Sequence, residues 1–289
     1  MEPVKLDSSK ALAKLQLIEL DILVKISELC DAYHIEWWLD SGTCLGAVRH
    51  GGFIPWDDDI DIGMMRPDYD RFCKIALAGG LPEGYSLHTS NNTPGYAAMF
   101  AKVYKDGTTF ENQESREAKS NMGIFVDVFP YDYLYEDSRM RAKQMKLALR
   151  AQRGSYLYHS SSINVPHKGL LGIVEKASCR LLHIIERVWN SDASSYQSRF
   201  DQAIPDPRKG RPSDEVISLA WPYIDSIKFA DVVPTTQQEF EGRLFPVPGN
   251  TEKYLTAMYG DWRKIPSPEE RHTHLPLQID FGDGEVWKA

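Results

Sequence analysis

Cysteine is scarce in this chain. Cys30, Cys44, Cys73 and Cys179 are the only four among 289 residues, and no two stand in a CxxC pair. That spacing argues against a zinc centre, and scattered thiols suit a reducing, cytoplasmic setting. Positive charge is also in short supply: 33 Lys and Arg against 41 Asp and Glu leave a net charge of −8. A surface of that sign disfavours non-specific binding to nucleic acid or to an anionic membrane. No apolar run reaches the roughly 18–20 residues that span a bilayer. The nearest, Gly169 to Trp189, is interrupted by Glu175, Lys176, Arg180, Glu186 and Arg187. It reads as an amphipathic helix for a core, with a membrane-surface helix as the alternative. The opening Met1 to Asp7 lacks the pattern of a signal peptide. No transmembrane segment is therefore expected, although peripheral membrane association stays compatible. The expected location is the cytoplasm or the inner face of a membrane.

What is present reads as a globular α/β (α+β) protein with one elaborated core. Residues 1–135 form the expected catalytic core, 136–235 a helical region, and 236–289 a segment packing back on the core. Leu15, Ile18, Ile22, Ile26, Leu29 and Tyr33 recur at helical spacing within 8–33. Strands are expected at Ile35 to Asp40, Trp56 to Ile62, Tyr85 to Thr89 and Ile124 to Phe129, the last ended by Pro130. Ala98 to Tyr104 and Thr108 to Glu111 flank Asp106-Gly107, a hairpin signal, and the polar residues 112–121 read as a mobile loop. Short helices are expected at Thr43 to Arg49 and Pro67 to Ala78. Ser138 to Tyr158 and Lys168 to Asn190 read as long helices, with linkers at 159–167 and 203–214. Phe240 to Val247 is strand-like, and Asn250 caps a helix from Thr251 to Tyr259 that Gly260 closes.

The most informative stretch runs from Trp37 to Ile62. A small-residue turn, Ser41-Gly42-Thr43, precedes four carboxylates at Asp57, Asp58, Asp59 and Asp61. Concentrating that much charge is unfavourable unless a cation is bound. On a strand, Asp57, Asp59 and Asp61 would share one face, with Ile60 and Ile62 on the other beside Asp58. Oxygen ligands of this kind suit Mg²⁺ or Mn²⁺. Asp127, inside the apolar strand Phe125 to Phe129, is the candidate third acid, because an acid there is either paired or bound to metal. An EF-hand fails, since its sixth and twelfth positions would be Ile62 and Asp68. The DDxxD pattern of prenyl-diphosphate enzymes needs a helix, which Pro55 and the isoleucine alternation oppose. A DxD glycosyltransferase stays open. Gly42 would let the backbone approach a phosphate, and Thr43 would offer a hydroxyl and an amide at a helix N-terminus. Arg49, His50 and Lys102 are the nearest cations for diphosphate oxygens. Arg271, His272 and His274 form a second basic patch. Trp37, Trp38 and Trp56 could enclose a quaternary ammonium, with core packing as their plainer role.

Leu39 to His50 together with Gly52 to Ile62 resembles the LicD family, which includes bacterial phosphocholine transferases and relatives of fukutin-related protein. Ala101 to Tyr104, Gly123 to Pro130 and Tyr254 to Trp262 extend the resemblance. It implies a nucleotidyltransferase-like core that uses Mg²⁺ (or Mn²⁺) and transfers a phospho-alcohol from a CDP-alcohol donor to a glycan or lipid-linked saccharide acceptor, releasing CMP. Asp59 and Asp61 match the family's metal-binding pair and Asp127 its third acid; these three are the expected catalytic residues, with Asp57 joining them at the metal. Ser41, Gly42, Thr43, Arg49, His50, Trp56, Lys102, Arg271 and His274 are the expected substrate contacts. The alternatives are a nucleotidyltransferase or glycosyltransferase using an NDP-sugar, and an inactive metal- or nucleotide-binding module.

Overall fold

The computed structural model describes residues 3–161, 169–189, 193–271 and 276–289. In chain order, a short strand β1 (Val4–Lys5) leads into helix α1 (Ser8–Tyr33), then β2 (Trp38–Leu39), α2 (Ser41–His50), β3 (Asp61–Met65) and α3 (Arg66–Ile75). A π-helical turn, Ala76–Gly80, precedes β4 (Tyr85–His88), β5 (Ala101–Lys105), β6 (Thr109–Glu111), α4 (Gln113–Ala118) and the long strand β7 (Ile124–Tyr135). Helices α5 (Ser138–His159), α6 (Gly169–Trp189) and α7 (Ser194–Asp201) follow. The chain then runs through β8 (Pro212–Ile217), β9 (Ile227–Lys228), α8 (Phe229–Val232), the hairpin β10 (Thr236–Phe240) and β11 (Arg243–Val247), α9 (Thr251–Tyr259), β12 (Gln278–Asp280) and β13 (Glu285–Lys288).

The central sheet is mixed. Its order is β2-β3-β7-β5-β4, and β8 extends β7 with β9 beyond it. Among the described residues of this sheet, β3 and β7 alone run parallel; β2 on β3, β5 on β7 and β4 on β5 are antiparallel. α1 packs across β7 and β5. Its buried stripe contains Leu15, Ile22, Leu23 and Ile26, all fully enclosed. Each such side chain contributes roughly 1.5–3 kcal/mol through burial, enough to hold the helix firmly against the sheet.

Several expectations need correction. The strand expected from Trp56 starts only at Asp61, because the Trp-Asp-Asp-Asp stretch forms a turn and an irregular approach to the sheet. The alternate-face argument therefore fails for Asp57 to Asp59. Asp106-Gly107 does turn the chain, yet β5 and β6 do not pair: β5 stays in the central sheet, and β6 joins β12 in a second sheet ordered β1-β13-β12-β6. Residues 112–121 are not a plain loop. Asn112 and Ser115 build a reciprocal cap that starts α4. β7 continues through Pro130. It does so where β5 has already ended at Val128 and β8 joins only at Asp132, so one side of the strand needs no N–H there. Finally, Gly169–Trp189 is a helix, but it is not a core helix. Leu171, Ile173, Val174, Leu181, Ile184 and Val188 are exposed on it. Among the described residues no helix is long and apolar enough to cross a membrane.

Candidate active site

The ends of β3 and β7 bring two acids side by side. Asp61 and Asp127 are register partners on these parallel strands, whose neighbours lie about 4.8 Å apart. The pairing is local and firm: Asp127 N–H donates to Ile60 O, and Asp40 N–H to Asp61 O, each at 2.9 Å. Asp57, Asp58 and Asp59 reach the same region from the preceding turn. One oxygen from each lies within 4.8 Å of the other two, which a regular strand would have prevented. Gln16 of α1 anchors this turn through Nε2 to Asp57 O at 2.8 Å.

Helix α2 starts beside the acids. Asp40 caps it by accepting from Ser41 N–H at 2.9 Å, and Ser41 adopts a left-handed φ of 46° to make the turn. A Cβ at Gly42 would stand 3.2 Å from Asp57 Oδ2, so glycine lets the helix N-terminus approach the carboxylates. The Thr43 side chain is buried, and its Oγ1 accepts Asp61 N–H at 2.9 Å, so it ties the start of α2 to the start of β3. Asp40 itself is buried and accepts hydrogen bonds from Tyr131 at 2.9 Å and from Tyr254 of α9. Burial nevertheless pushes its carboxyl above the usual range. Through Tyr254 the C-terminal helix locks onto the turn that aims α2.

Two cations meet the site differently. Lys102 Nζ lies 2.5 Å from Asp127 Oδ1, with both side chains largely enclosed, and 3.4 Å from the centre of the Phe125 ring. Arg49 donates through Nη1 to Trp262 O and through Nε to His50 Nε2, each at 2.9 Å. Burial, then the positive charge of Arg49, lowers the His50 pKa, so His50 is a neutral acceptor that orients Arg49. Arg271 stacks over Trp56, 4.0 Å from the ring centre, which places this one cation beside the residue that leads into the acidic turn. His272 and His274 lie outside the described residues. Trp37 and Trp38 do not form a cage. Trp38 is fully buried against Tyr131, and Trp37 packs edge-on to Phe245.

One acid escaped the sequence reading. Glu19 of α1 is 1% exposed, and neither carboxylate oxygen has a hydrogen bond among the described residues. Its pKa is pushed well above the ordinary value, first by burial and then by Asp59, Asp58, Asp57 and Asp127. Asp61 is raised in the same way, by burial and then by Asp59 and Asp127. The signal was present in the sequence: Glu19 lies four residues after Leu15 and three before Ile22, on the apolar stripe itself. A buried carboxylate without a donor, facing a group of like charge, fits a site that a hard divalent cation neutralises. Asp57, Asp58 and Asp59 bring oxygens within 4.8 Å of one another, while Glu19, Asp61 and Asp127 add carboxyls to the same neighbourhood; the donors are all oxygen, the chemistry a hard cation takes.

A cavity of about 130 Å³ adjoins this cluster. Lys102, which binds Asp127, also lines it, together with Tyr96, Phe100, Tyr104, Phe125, Tyr156 and Glu114. Burial raises the Glu114 pKa, an effect that Lys102 partly offsets.

Residues 34–166 match the model of the LicD/FKTN/FKRP nucleotidyltransferase domain. The chain is 28% identical over 264 residues to the lipopolysaccharide cholinephosphotransferase LicD of Haemophilus influenzae, covering 90% of this chain and 94% of that protein. It is 47% identical over 38 residues to human ribitol 5-phosphate transferase FKRP, covering 13% of this chain and 8% of the relative. An uncharacterized protein of Rickettsia typhi is 32% identical over 149 residues, 49% of this chain and 41% of its own length. Residues 34–166, which carry the paired strand acids and the helix turn beside them, match the LicD/FKTN/FKRP nucleotidyltransferase family, and the chain as a whole is similar to LicD.

Proposed function

We propose that this chain transfers a phospho-alcohol, with phosphocholine as the preferred group, from a CDP-alcohol to a hydroxyl of a glycan or lipid-linked saccharide, releasing CMP. The observation that carries the reading is the register pairing of Asp61 with Asp127, next to the convergent Asp57, Asp58 and Asp59 and the N-terminus of α2. The overall likeness to a cholinephosphotransferase supports the reaction class.

A bound Mg²⁺ or Mn²⁺ would supply charge neutralisation for a diphosphate as its P–O bond breaks. Asp57, Asp59, Asp61 and Asp127 would hold it, with Glu19 closing the site from α1. The chain's own residues do the rest. The amides of the first turn of α2 face incoming phosphate oxygens, which Gly42 allows to come close. Arg49, oriented by His50, and Arg271, laid over Trp56, supply charge-assisted hydrogen bonds to the diphosphate. Asp127 takes the proton of the attacking hydroxyl, and Lys102 fixes the direction in which its carboxylate points.

The cavity beside Lys102 supports a cationic alcohol. Aromatic side chains attract a quaternary ammonium by about 0.5–2 kcal/mol, and Glu114 adds a carboxylate at the same wall. Incubation with Mg²⁺ and CDP-choline, CDP-ethanolamine, CDP-ribitol or CDP-glycerol, followed by assay of CMP, tests the proposal. CMP release should be fastest with CDP-choline, and Glu114→Gln should narrow that preference. No CMP from any CDP-alcohol, with cleavage of a UDP-sugar instead, would overturn it in favour of glycosyl transfer.

A further inference from the structure

We propose that α6, with the basic row of α5 beside it, docks this chain onto the surface of an anionic lipid bilayer, the helix lying in the plane of the interface. The inference is independent of the transfer chemistry.

The orientation of α6 is the reverse of a helix on a soluble surface. At about 100° per residue, Gly172, Cys179, His183 and Glu186 share one face, and this polar face meets the protein. His183 Nδ1 lies 2.6 Å from Leu157 O, and Glu186 accepts from Tyr196 Oη at 2.5 Å. The apolar side looks outward. Leu171, Val174, Leu181, Ile184 and Val188 are exposed along it, and it ends in Val188 at 73% and Trp189 at 81% exposure. Over 21 residues this is a strip about 30 Å long. Contiguous apolar surface of that extent marks a contact with something apolar. The aromatic pair Trp221 and Tyr223 is also exposed, and Tyr223 adjoins Arg153 of α5. Exposed tryptophan and tyrosine favour the level of lipid headgroups.

Charge selects the occupant. Lys176, Arg180 and Arg187 are exposed in one row along the edge of the apolar strip. α5, packed on α6, exposes Arg139, Lys143, Lys146, Arg150 and Arg153 at spacings of four, three, four and three, a second row on one face. α5 holds six cations and no acid, in a chain whose net charge is −8. The acidic total therefore conceals a basic, apolar face. A second copy docked there symmetrically would set these rows against their own kind. Anionic headgroups neutralise them while the acyl region receives the apolar strip, the combination that defines an interfacial helix.

The test uses the purified full chain in vesicle flotation. Vesicles of phosphatidylcholine with about 30% phosphatidylglycerol should carry the protein upward at low salt, and pure phosphatidylcholine far less. Replacing the exposed residues Val174, Leu181, Ile184 and Val188 together by Gln should lower partitioning about tenfold or more, with the thermal unfolding midpoint unchanged. Lys146→Glu with Arg150→Glu should weaken binding and flatten its salt dependence. If the wild-type chain stays below the anionic vesicles, or the glutamine variant floats as well as the wild type, the proposal is wrong. A dimer in sedimentation velocity that the glutamine variant abolishes, without vesicle binding by the wild type, would assign the face to a second copy instead.

Discussion

Asp61→Asn should stabilise the cation-free protein while destroying its function. Asp61 and Asp127 are register mates on strands about 4.8 Å apart. At an effective dielectric of about 20, two unit charges at that separation repel by roughly 3 kcal/mol. Lys102 beside Asp127 offsets part of this, which leaves a net relief of about 1–2 kcal/mol. For a chain of 289 residues the unfolding entropy is about 0.6 kcal/mol/K, so the midpoint without divalent cation should rise by about 2–3 °C. The sign follows from linkage. The folded-state pKa of Asp61 is raised, so the wild-type chain loses stability as pH rises from the unfolded value through the folded one. The advantage of the asparagine variant should therefore grow as the pH rises above the ordinary carboxylate range. Differential scanning fluorimetry with and without Mg²⁺ measures both effects. The wild-type midpoint should rise with Mg²⁺, whereas the variant's should not, and CMP release should fall to background. A lower midpoint for cation-free Asp61→Asn, or an intact Mg²⁺ response, would refute the view that Asp61 is held against carboxyls of like charge that a cation relieves.

Glu19→Gln should act in the same direction. It should raise cation-free stability, because a buried carboxyl without donors is removed, and it should weaken the Mg²⁺ midpoint in a thermal-shift titration. In the wild-type chain Mg²⁺ affinity should increase with pH, since binding displaces protons from carboxyls whose pKa values are raised; an affinity independent of pH would contradict this. Gly42→Ala should leave the unfolding midpoint within about 2 °C, because its Cβ needs only a shift of a few tenths of an ångström by Asp57. CMP release should nevertheless fall at least about tenfold, because a crowded carboxylate blocks phosphate approach. Arg66→Met should cost about 3–5 kcal/mol in urea unfolding. Arg66 holds Asp132 by two bonds, of 2.9 and 2.6 Å, and the Asp132 side chain is fully enclosed. The double variant Arg66→Met with Asp132→Asn should recover part of that loss.

The elements governed by local chemistry were legible in the sequence. Helix α1 spans Ser8–Tyr33 as its periodicity indicates, and α9 runs from Thr251 to Tyr259 between Asn250 and Gly260 as the capping residues dictate. The turn at Gly42 and the acid pair Asp61 and Asp127 were also identifiable, because an acid inside an apolar strand stands out against its neighbours. What escaped was non-local. A period-two pattern can continue into a turn, so alternation alone sets Asp58 opposite Asp57 and Asp59, although the chain folds all three together. Asp106-Gly107 specifies a turn but not a partner, and β6 pairs with β12 from the far end of the chain.

The sequence by itself determined the long helices, the caps of α9 and which residues have the chemistry to bind a cation, since each depends on neighbours within a few positions. Only the tertiary structure decided that Glu19 faces the acids, that Thr43 holds the Asp61 backbone, and that α6 turns its polar side inward. Amphipathic periodicity establishes that a helix has two faces. Which of them meets the protein depends on what the rest of the fold presents to it, and here His183 and Glu186 find polar partners at the surface they cover, leaving the apolar face to the outside.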